Sequence, residues 1–206
     1  MTRRLGETSY KETAFGIIPR SKLVPLEIEG IKRAWNFILK HGAKKQLPLT
    51  VQFVKKLHEV GFGWIFPKDS GKFRLVDVQV SRHAPPKASL IQSLMLDFTR
   101  DLKMRLHYLV RTDDPGFLEQ LVALLSWAHH RFLWIHPFFD YNGRIARLLI
   151  NIILLNLDLP PIDLKIETLK ARQRYIHALQ MADGGNDTLL QQMIMEAVKE
   201  AVRSLK

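Results

Sequence analysis

The stretch that decides the fold is His136–Leu149, HPFFDYNGRIARLL, which lies between two apolar segments. One His, one Asp, one Asn, one Gly and two Arg stand close together in it. These are residue types that bind phosphates and transfer protons. A polar cluster joining two apolar segments indicates a functional loop between two buried helices.

The composition of this loop predicts an anion site. Pro137 ends the helix that carries His136. Asp140–Gly143 has the composition of a turn, apart from Tyr141, and Asn142 is suited to cap the following helix. The free N–H groups at a helix start bind anions, and Gly143 lets a ligand approach the backbone closely.

The charged side chains of the loop extend this site. Arg144 and Arg147 lie three residues apart on one side of the helix, where both can contact phosphate oxygens. Asp140 is suited to a Mg²⁺ ion that bridges phosphates. Since an unperturbed histidine titrates near neutral pH, we expect His136 to be able to accept a proton from an attacking hydroxyl. The alternative is an ordinary turn, with both Arg paired to surface acids and His136 in the core.

The remaining chain predicts an all-α bundle with one small β excursion. Residues 1–25 are polar and are expected to form an arm. Lys72–Val80 alternates apolar and polar side chains, which predicts a strand or hairpin. Helical periodicity recurs in segments beginning near Leu26, Val51, Ser89, Phe117, Ile145, Leu169 and Asp187.

Composition sets limits on function. The 206 residues suit one domain, and the absence of Cys excludes disulfides and thiolate metal sites. The chain shows no signal peptide or membrane-spanning segment, so we expect no membrane partner and a cytoplasmic protein, with delivery by a secretion system left open. The net charge of +11 favours anionic partners. Nucleic acid is not expected, because no recognised nucleic-acid motif is present.

The loop resembles the signature of the Fic/Doc family, HxFx(D/E)GN(G/K)RxxR. Seven of its eight specified positions match, and the departure is Tyr141, where the family usually has Gly. The likeness extends over roughly 26–205 and implies a single Fic domain at 26–206. It implies a Fic-type helical bundle, with the signature at 136–147 and a β-hairpin flap in the region 64–84.

The resemblance also implies roles for individual residues. His136 would be the general base and Asp140 the Mg²⁺ ligand. Arg147 would reach the terminal phosphate of ATP. The anion hole would be lined by Asn142, Gly143 and Arg144, beside Tyr141. The flap would pair with a target segment; the residues expected to dock it are Ser70, Gly71, Lys72, Phe73 and Arg74.

An inhibitory helix is a further feature that the resemblance implies. Many family members carry the pattern (S/T)xxxE(G/N), whose Glu pairs with the second Arg of the signature. Glu29-Gly30 resembles the end of this pattern, although Pro25 stands where the Ser or Thr is expected. The hypothesis is that 26–41 is this helix and that Glu29 pairs with Arg147. The alternative is an exposed Glu on an ordinary helix.

The function implied is a protein adenylyltransferase, which uses Mg²⁺ and ATP to transfer AMP to a Ser, Thr or Tyr hydroxyl of an unknown target protein. Tyr141 leaves alternatives open. If its ring points to solvent, the site works; if the ring enters the anion hole, it blocks the β-phosphate region. The alternatives are a transferase with another nucleotide or phosphate donor, or a catalytically impaired domain that acts as a binding module.

Overall fold

The computed structural model describes residues 10–42, 46–80 and 83–204. In these ranges a two-stranded antiparallel hairpin is followed by helices. The strands are β1 (Tyr10–Thr13) and β2 (Gly16–Pro19). The helices are α1 (Arg20–Gly42), α2 (Val51–Phe62), α3 (Ile91–His107), α4 (Phe117–Ile135), α5 (Asn142–Asn156), α6 (Leu169–Asp183) and α7 (Thr188–Arg203), with a short 3₁₀ turn at Ala88–Leu90. The prediction of a helical bundle with one small hairpin is confirmed.

The hairpin is not where the sequence predicted it. It lies within the expected irregular arm, with Tyr10 opposite Pro19, and Gly16 makes its turn at a φ of 85°. The predicted strand at Lys72–Val80 is wrong: among the described residues this segment bends at Lys72, Leu75 and Val76 and has a single antiparallel bridge between Val80 and His83. Arg74 is its buried residue, whereas Leu75 is exposed, so the apolar alternation does not correspond to a buried face.

Helix α1 begins six residues before the predicted start at Leu26 and contains Pro25. Pro25 is the sixth residue of α1, so its missing N–H removes one hydrogen bond from the second turn. Ile28 is half exposed, so it lies outside the buried face of α1. The residues that α1 buries are Leu23, Glu27, Gly30, Ala34 and Ile38.

Helices α1 and α2 approach each other closely at a pair of glycines. A Cβ atom on Gly30 would collide with the carbonyl oxygen of Gly61. The contact therefore requires glycine at position 30, and it fixes the height and rotation of α1 on the bundle. Glu27, one turn earlier on the same buried face, is thereby directed into the protein.

Helices α4 and α5 form the centre of the core. Leu125, Phe132 and Ile135 of α4 are fully buried, as are Ile145 and Ile153 of α5. The predicted buried helix after the loop is thus confirmed. Because both helices are immobilised by the core, the loop that joins them, 136–141, is held rigidly at one end of the bundle. No helix in the described ranges has the length and apolar character needed to cross a membrane.

Candidate active site

The loop between α4 and α5 is built on two left-handed residues. His136, at the end of α4, has a φ of 51°, and Tyr141, which precedes α5, has a φ of 64°. Asn142 closes the loop from inside: its Oδ1 accepts from the Phe138 N–H at 2.9 Å and its Nδ2 donates to the Phe138 carbonyl at 2.8 Å. The predicted capping role of Asn142 is therefore wrong, because its side chain braces the loop instead of the helix start.

The start of α5 presents two free amide groups. The N–H groups of Arg144 and Ile145 bond to the Tyr141 carbonyl at 3.0 and 3.1 Å. Within the described part of the chain, the N–H groups of Asn142 and Gly143 have no acceptor. Free amides at the positive end of a helix attract phosphate oxygens. The structure thus brings together the predicted backbone donors of an anion hole.

His136 is held as a neutral base beside these amides. Burial lowers its pKa from 6.5 to about 4, although a hydrogen bond to the Leu133 backbone raises it. The positive charge of Arg74 lowers it further. At neutral pH the imidazole therefore carries no charge and has a free lone pair, which is the form that accepts a proton.

The ring of Tyr141 points neither to solvent nor between the free amides. It is buried and stacks on Phe62 of α2, with ring centroids 4.1 Å apart. Its hydroxyl donates to Oε1 of Glu27 at 2.9 Å. Burial, followed by the charge of Glu27, raises the pKa of Tyr141. The hydroxyl therefore stays protonated and remains a donor to the carboxylate.

Glu27 is the carboxylate that enters the site. It is fully buried and accepts from Nη1 of Arg20 at 2.6 Å and from Nη2 of Arg144 at 2.7 Å, besides the Tyr141 hydroxyl. A buried carboxylate is tolerated when cations and donors satisfy it in this way. Sequence reasoning missed Glu27, although its i, i+4 spacing from Leu23 would have indicated the buried face.

The predicted pairing of Glu29 with Arg147 is wrong. Glu29 is about half exposed, and its Oε1 accepts from Nε of Arg33 at 3.2 Å. Successive residues of a helix are about 100° apart, so position 29 points about 200° away from position 27. Burial of Glu27 therefore turns Glu29 towards solvent.

Asp140 combines three contacts. Its Oδ1 accepts from the Tyr141 N–H at 2.7 Å, and its Oδ2 pairs with Lys11 of β1. Its carbonyl accepts from Nε2 of His58 at 3.2 Å. The hairpin thus places an ammonium group on the predicted metal ligand, a contact that the sequence does not reveal.

His58 joins the loop to the segment after α2. Its Nδ1 accepts from the Gly71 N–H at 3.0 Å, and its ring stacks on Phe138 with centroids 3.9 Å apart. Burial lowers the pKa of His58 to about 4. The neutral ring is therefore the form that can accept from Gly71 and donate to Asp140 at the same time.

The predicted docking residues of the flap serve mainly to anchor it. Arg74 is buried, and its guanidinium donates to the His136 and Val76 carbonyls at 2.8 Å each. Ser70 is buried as well, and Phe73 packs on Phe138. The exposed part of the segment comes next, at Leu75.

Comparisons with known proteins identify the domain. A family model described as Fic/DOC family matches residues 48–154, which is just over half of the chain. The chain belongs to the Fic/DOC family. This membership confirms the resemblance drawn from the signature loop.

Relatives of this Fic domain include two named "Protein adenylyltransferase Fic". The one from Drosophila erecta is 32% identical over 186 residues, 90% of this chain and 35% of that protein. The one from Nematostella vectensis is 28% identical over 175 residues, 85% of this chain and 38% of that protein. The chain spans about a third of the length of these curated relatives.

Solved structures share the fold. BepC from Bartonella tribocorum, solved with bound AMPPNP, superposes with a TM-score of 0.72 at 15% identity, over 93% of each chain. Fic-1 (aa134–508 E274G) from C. elegans gives a TM-score of 0.67 at 22% identity, over 86% of this chain and 49% of that one. At these identities the likeness concerns the Fic fold alone.

Asp140 is the candidate metal ligand of this Fic domain. In the described residues, no group of three or more His, Asp or Glu side chains is arranged to hold a metal. Asp140 is a single carboxylate beside the free amides. This arrangement is unsuited to a closed protein site, but it suits Mg²⁺, which proteins often bind through one or two carboxylates together with substrate phosphates.

Proposed function

We propose that this Fic domain transfers AMP from ATP to a Ser, Thr or Tyr hydroxyl of a target protein. The observation that carries the proposal is the neutral, partly buried His136 beside the free amides of Asn142 and Gly143. A base and an anion hole within one rigid loop are what transfer of a phosphoryl-linked group requires. The adenylyltransferase names of the relatives support the same reaction.

In the reaction, the hydroxyl oxygen of the target attacks the α-phosphorus of ATP in line with the leaving group. His136 accepts the hydroxyl proton as the new O–P bond forms. The bond between the α-phosphorus and the bridging oxygen breaks, and pyrophosphate leaves with its electron pair. The amides of Asn142 and Gly143 stabilise the negative charge on the phosphate oxygens, and Arg144 and Arg147 attract the β- and γ-phosphates.

A Mg²⁺ ion held by Asp140 would supply positive charge that neutralises the phosphates. In the structure the same carboxylate pairs with Lys11. An ammonium group and a metal ion cannot both occupy this side of Asp140. Metal binding would therefore require the Lys11 side chain to move away.

The target segment would bind along the flap. Leu75 is 93% exposed and Val76 is 55% exposed, at a bend of the backbone that follows the buried Arg74. Target binding would straighten this bend, so that the segment could accept a second strand by β-augmentation. The anchoring of Arg74 to the His136 carbonyl would hold such a strand close to the base.

We further propose that Glu27, instead of Glu29, restrains the enzyme. Its carboxylate takes up Nη2 of Arg144, a group that the phosphates need. Tyr141 and Arg20 hold this carboxylate in place. The chain would then rest in a state with reduced affinity for the triphosphate, and a displacement of α1 would activate it.

One labelling experiment tests the reaction and the restraint. A lysate is incubated with ATP labelled at the α- or the γ-phosphate and with wild type, Glu27→Ala, Glu29→Ala or Glu27→Ala/His136→Ala. Glu27→Ala is expected to raise α-label transfer at least about tenfold, within the usual range of coupling free energies. Glu29→Ala, the matched control on the exposed face, is expected to equal wild type. Loss of His136 should reduce labelling by about 100-fold or more.

The alternatives predict other outcomes. Label from the γ-phosphate alone would replace AMP transfer by a kinase reaction. No His136-dependent label from ATP or other nucleoside triphosphates would refute a transferase and favour a binding module. Equal activation by Glu27→Ala and Glu29→Ala would contradict the restraint assigned to Glu27.

A further inference from the structure

Arg147 is a cation without a carboxylate partner. It lies in the second turn of α5 and is partly buried, yet it forms no ion pair with any residue that the structure describes. Its Nη1 would be 3.7 Å from a Cβ atom on Gly143, which places the guanidinium beside the free amides. Arg144 and Arg147 also line one cavity of about 360 Å³ between α1 and α5. Both arginines thus face space that a ligand can enter.

Two buried side chains from other helices reach Arg147. The hydroxyl of Tyr175, in α6, lies near the Arg147 side chain and interacts with it electrostatically. The same hydroxyl lies 2.7 Å from Nε2 of His129, in α4. His129 is fully buried and Tyr175 is 6% exposed. A chain of contacts therefore runs from α4 through α6 to an arginine of α5, behind the phosphate-facing side of the site.

The charge states of His129, Tyr175 and Arg147 limit which of them can donate and which can accept. Burial is the main reason that the pKa of His129 falls to about 3, and the charge of Arg147 lowers it further. Burial also raises the pKa of Tyr175 to about 12. The imidazole is therefore neutral, and in the tautomer with its proton on Nδ1 its Nε2 accepts from the Tyr175 O–H; the Arg147 guanidinium can only donate, so towards it the Tyr175 oxygen is the acceptor.

This arrangement orients Arg147 without neutralising it. A carboxylate in the place of Tyr175 would fix the guanidinium equally well, but it would also cancel its charge. A neutral hydroxyl leaves the full positive charge available to a phosphate. Arg144 shows the contrast, because its Nη2 already bonds to the carboxylate of Glu27.

We propose that Tyr175 and His129 are positioning residues that hold Arg147 for the terminal phosphate of the nucleoside triphosphate. The inference rests on the proposed function, and it adds residues that set the preference for a triphosphate over a diphosphate. His129 acts through Tyr175, and Tyr175 acts through Arg147. Neither residue touches the reacting atoms.

The test measures nucleotide binding in the Glu27→Ala background, in which Arg144 is free. Isothermal titration calorimetry uses α,β-methylene-ATP and α,β-methylene-ADP, whose bridging carbon prevents transfer. Tyr175→Phe removes only the hydroxyl. It is expected to weaken binding of the triphosphate about 10- to 150-fold, as loss of one hydrogen bond to a charged group does, and to change binding of the diphosphate less than about twofold.

Matched variants separate positioning from packing. Tyr108→Phe, at a tyrosine that is 72% exposed, should change neither affinity. His129→Gln keeps a hydrogen-bond acceptor and should retain most of the selectivity, whereas His129→Leu should lose it. Thermal unfolding of each variant, measured in parallel, identifies any that fail to fold, and Tyr175→Phe with its intact ring is the deciding variant.

Two results overturn the proposal, and they can be distinguished. If Tyr175→Phe binds both analogues as tightly as the background protein, or weakens both equally, the hydroxyl does not position Arg147 for the terminal phosphate. If the background protein itself binds neither analogue, the proposed function fails, and this inference fails with it.

Discussion

The contact between Tyr141 and Glu27 is the feature of this site that is easiest to test quantitatively. Tyr141→Phe removes the hydroxyl that donates to Oε1 of Glu27 at 2.9 Å and keeps the ring on Phe62. Glu27→Ala removes the acceptor and keeps a good helix former in α1. Together with the double variant, these changes form a double-mutant cycle, which isolates the coupling free energy between the two side chains.

The structure sets the magnitude of that coupling. A hydrogen bond to a charged group contributes about 1.5–3 kcal/mol to stability. Arg20 and Arg144 also satisfy Glu27, so a coupling in the lower part of this range is expected, about 1–2 kcal/mol. Tyr141→Phe alone should lower the free energy of unfolding by a similar amount, about 1–2 kcal/mol.

Glu27→Ala should cost more, about 2–4 kcal/mol, because it removes the partner of the Tyr141 hydroxyl and of the Arg20 and Arg144 guanidinium groups. The full cost of breaking a buried ion pair is not expected. The Arg20 side chain is 46% exposed and that of Arg144 is 22% exposed, so water can replace part of what is lost.

The assay is urea unfolding followed by the fluorescence of the four tryptophans. Tyr108→Phe, combined with Glu27→Ala, serves as a control cycle, since distant sites should be additive within about 0.5 kcal/mol. A coupling between Tyr141 and Glu27 below that control value would refute the reasoning. It would mean that the hydroxyl does not hold the carboxylate, and that Tyr141 takes no part in the restraint.

Two further predictions concern catalysis. Because the pKa of His136 is lowered to about 4, kcat/KM should stay nearly constant from pH 8 to pH 5.5. Below this pKa, kcat/KM should fall about tenfold per pH unit, because the imidazole becomes protonated. A loss of activity centred on pH 6.5 would contradict a buried neutral base. Lys11→Ala should lower the Mg²⁺ concentration for half-maximal labelling several-fold, because no ammonium group then competes for Asp140. The free energy of unfolding should change by less than about 1 kcal/mol, as expected for an exposed ion pair. Lys68→Ala, which removes the ion pair to Glu12 on the same hairpin, is the control, and an equal effect of both variants would exclude competition at Asp140.

The helices and the signature loop could be predicted because their signals are local. Apolar periodicity predicts α4 and α5, and the residues that build the loop are contiguous in sequence. The predicted strand at 72–80 was wrong because a β-strand requires a neighbouring strand to pair with. The alternation of apolar and polar residues in 72–80 does not show whether such a neighbour is present. The side chain of Arg74 is buried against carbonyl groups of the loop near His136, a partner that no local pattern predicts.

Long-range pairing also explains why the sequence pattern points to Glu29, whereas the structure buries Glu27. Glu29-Gly30 resembles the end of a sequence pattern. Glu27 is buried because the close contact between Gly30 and Gly61 turns its side of α1 towards the protein. Two residues along a helix reverse the direction of a side chain. A pattern that identifies the correct helix can therefore still name a residue on its solvent face, and only the packing of α1 on α2 decides between the two.

The same packing explains how a tyrosine is accommodated where the family signature has glycine. Tyr141 keeps the left-handed backbone, at a cost of about 1–2 kcal/mol for a residue with a Cβ atom. Stacking on Phe62 and the hydrogen bond to Glu27 offset this cost, since each contributes on the order of 1 kcal/mol. The ring leaves the loop on the side of α1 and α2, so the amides of Asn142 and Gly143 remain free for phosphate. Tyrosine at this position therefore leaves the anion hole open and adds a hydrogen bond between the signature loop and Glu27, the residue proposed to restrain the enzyme.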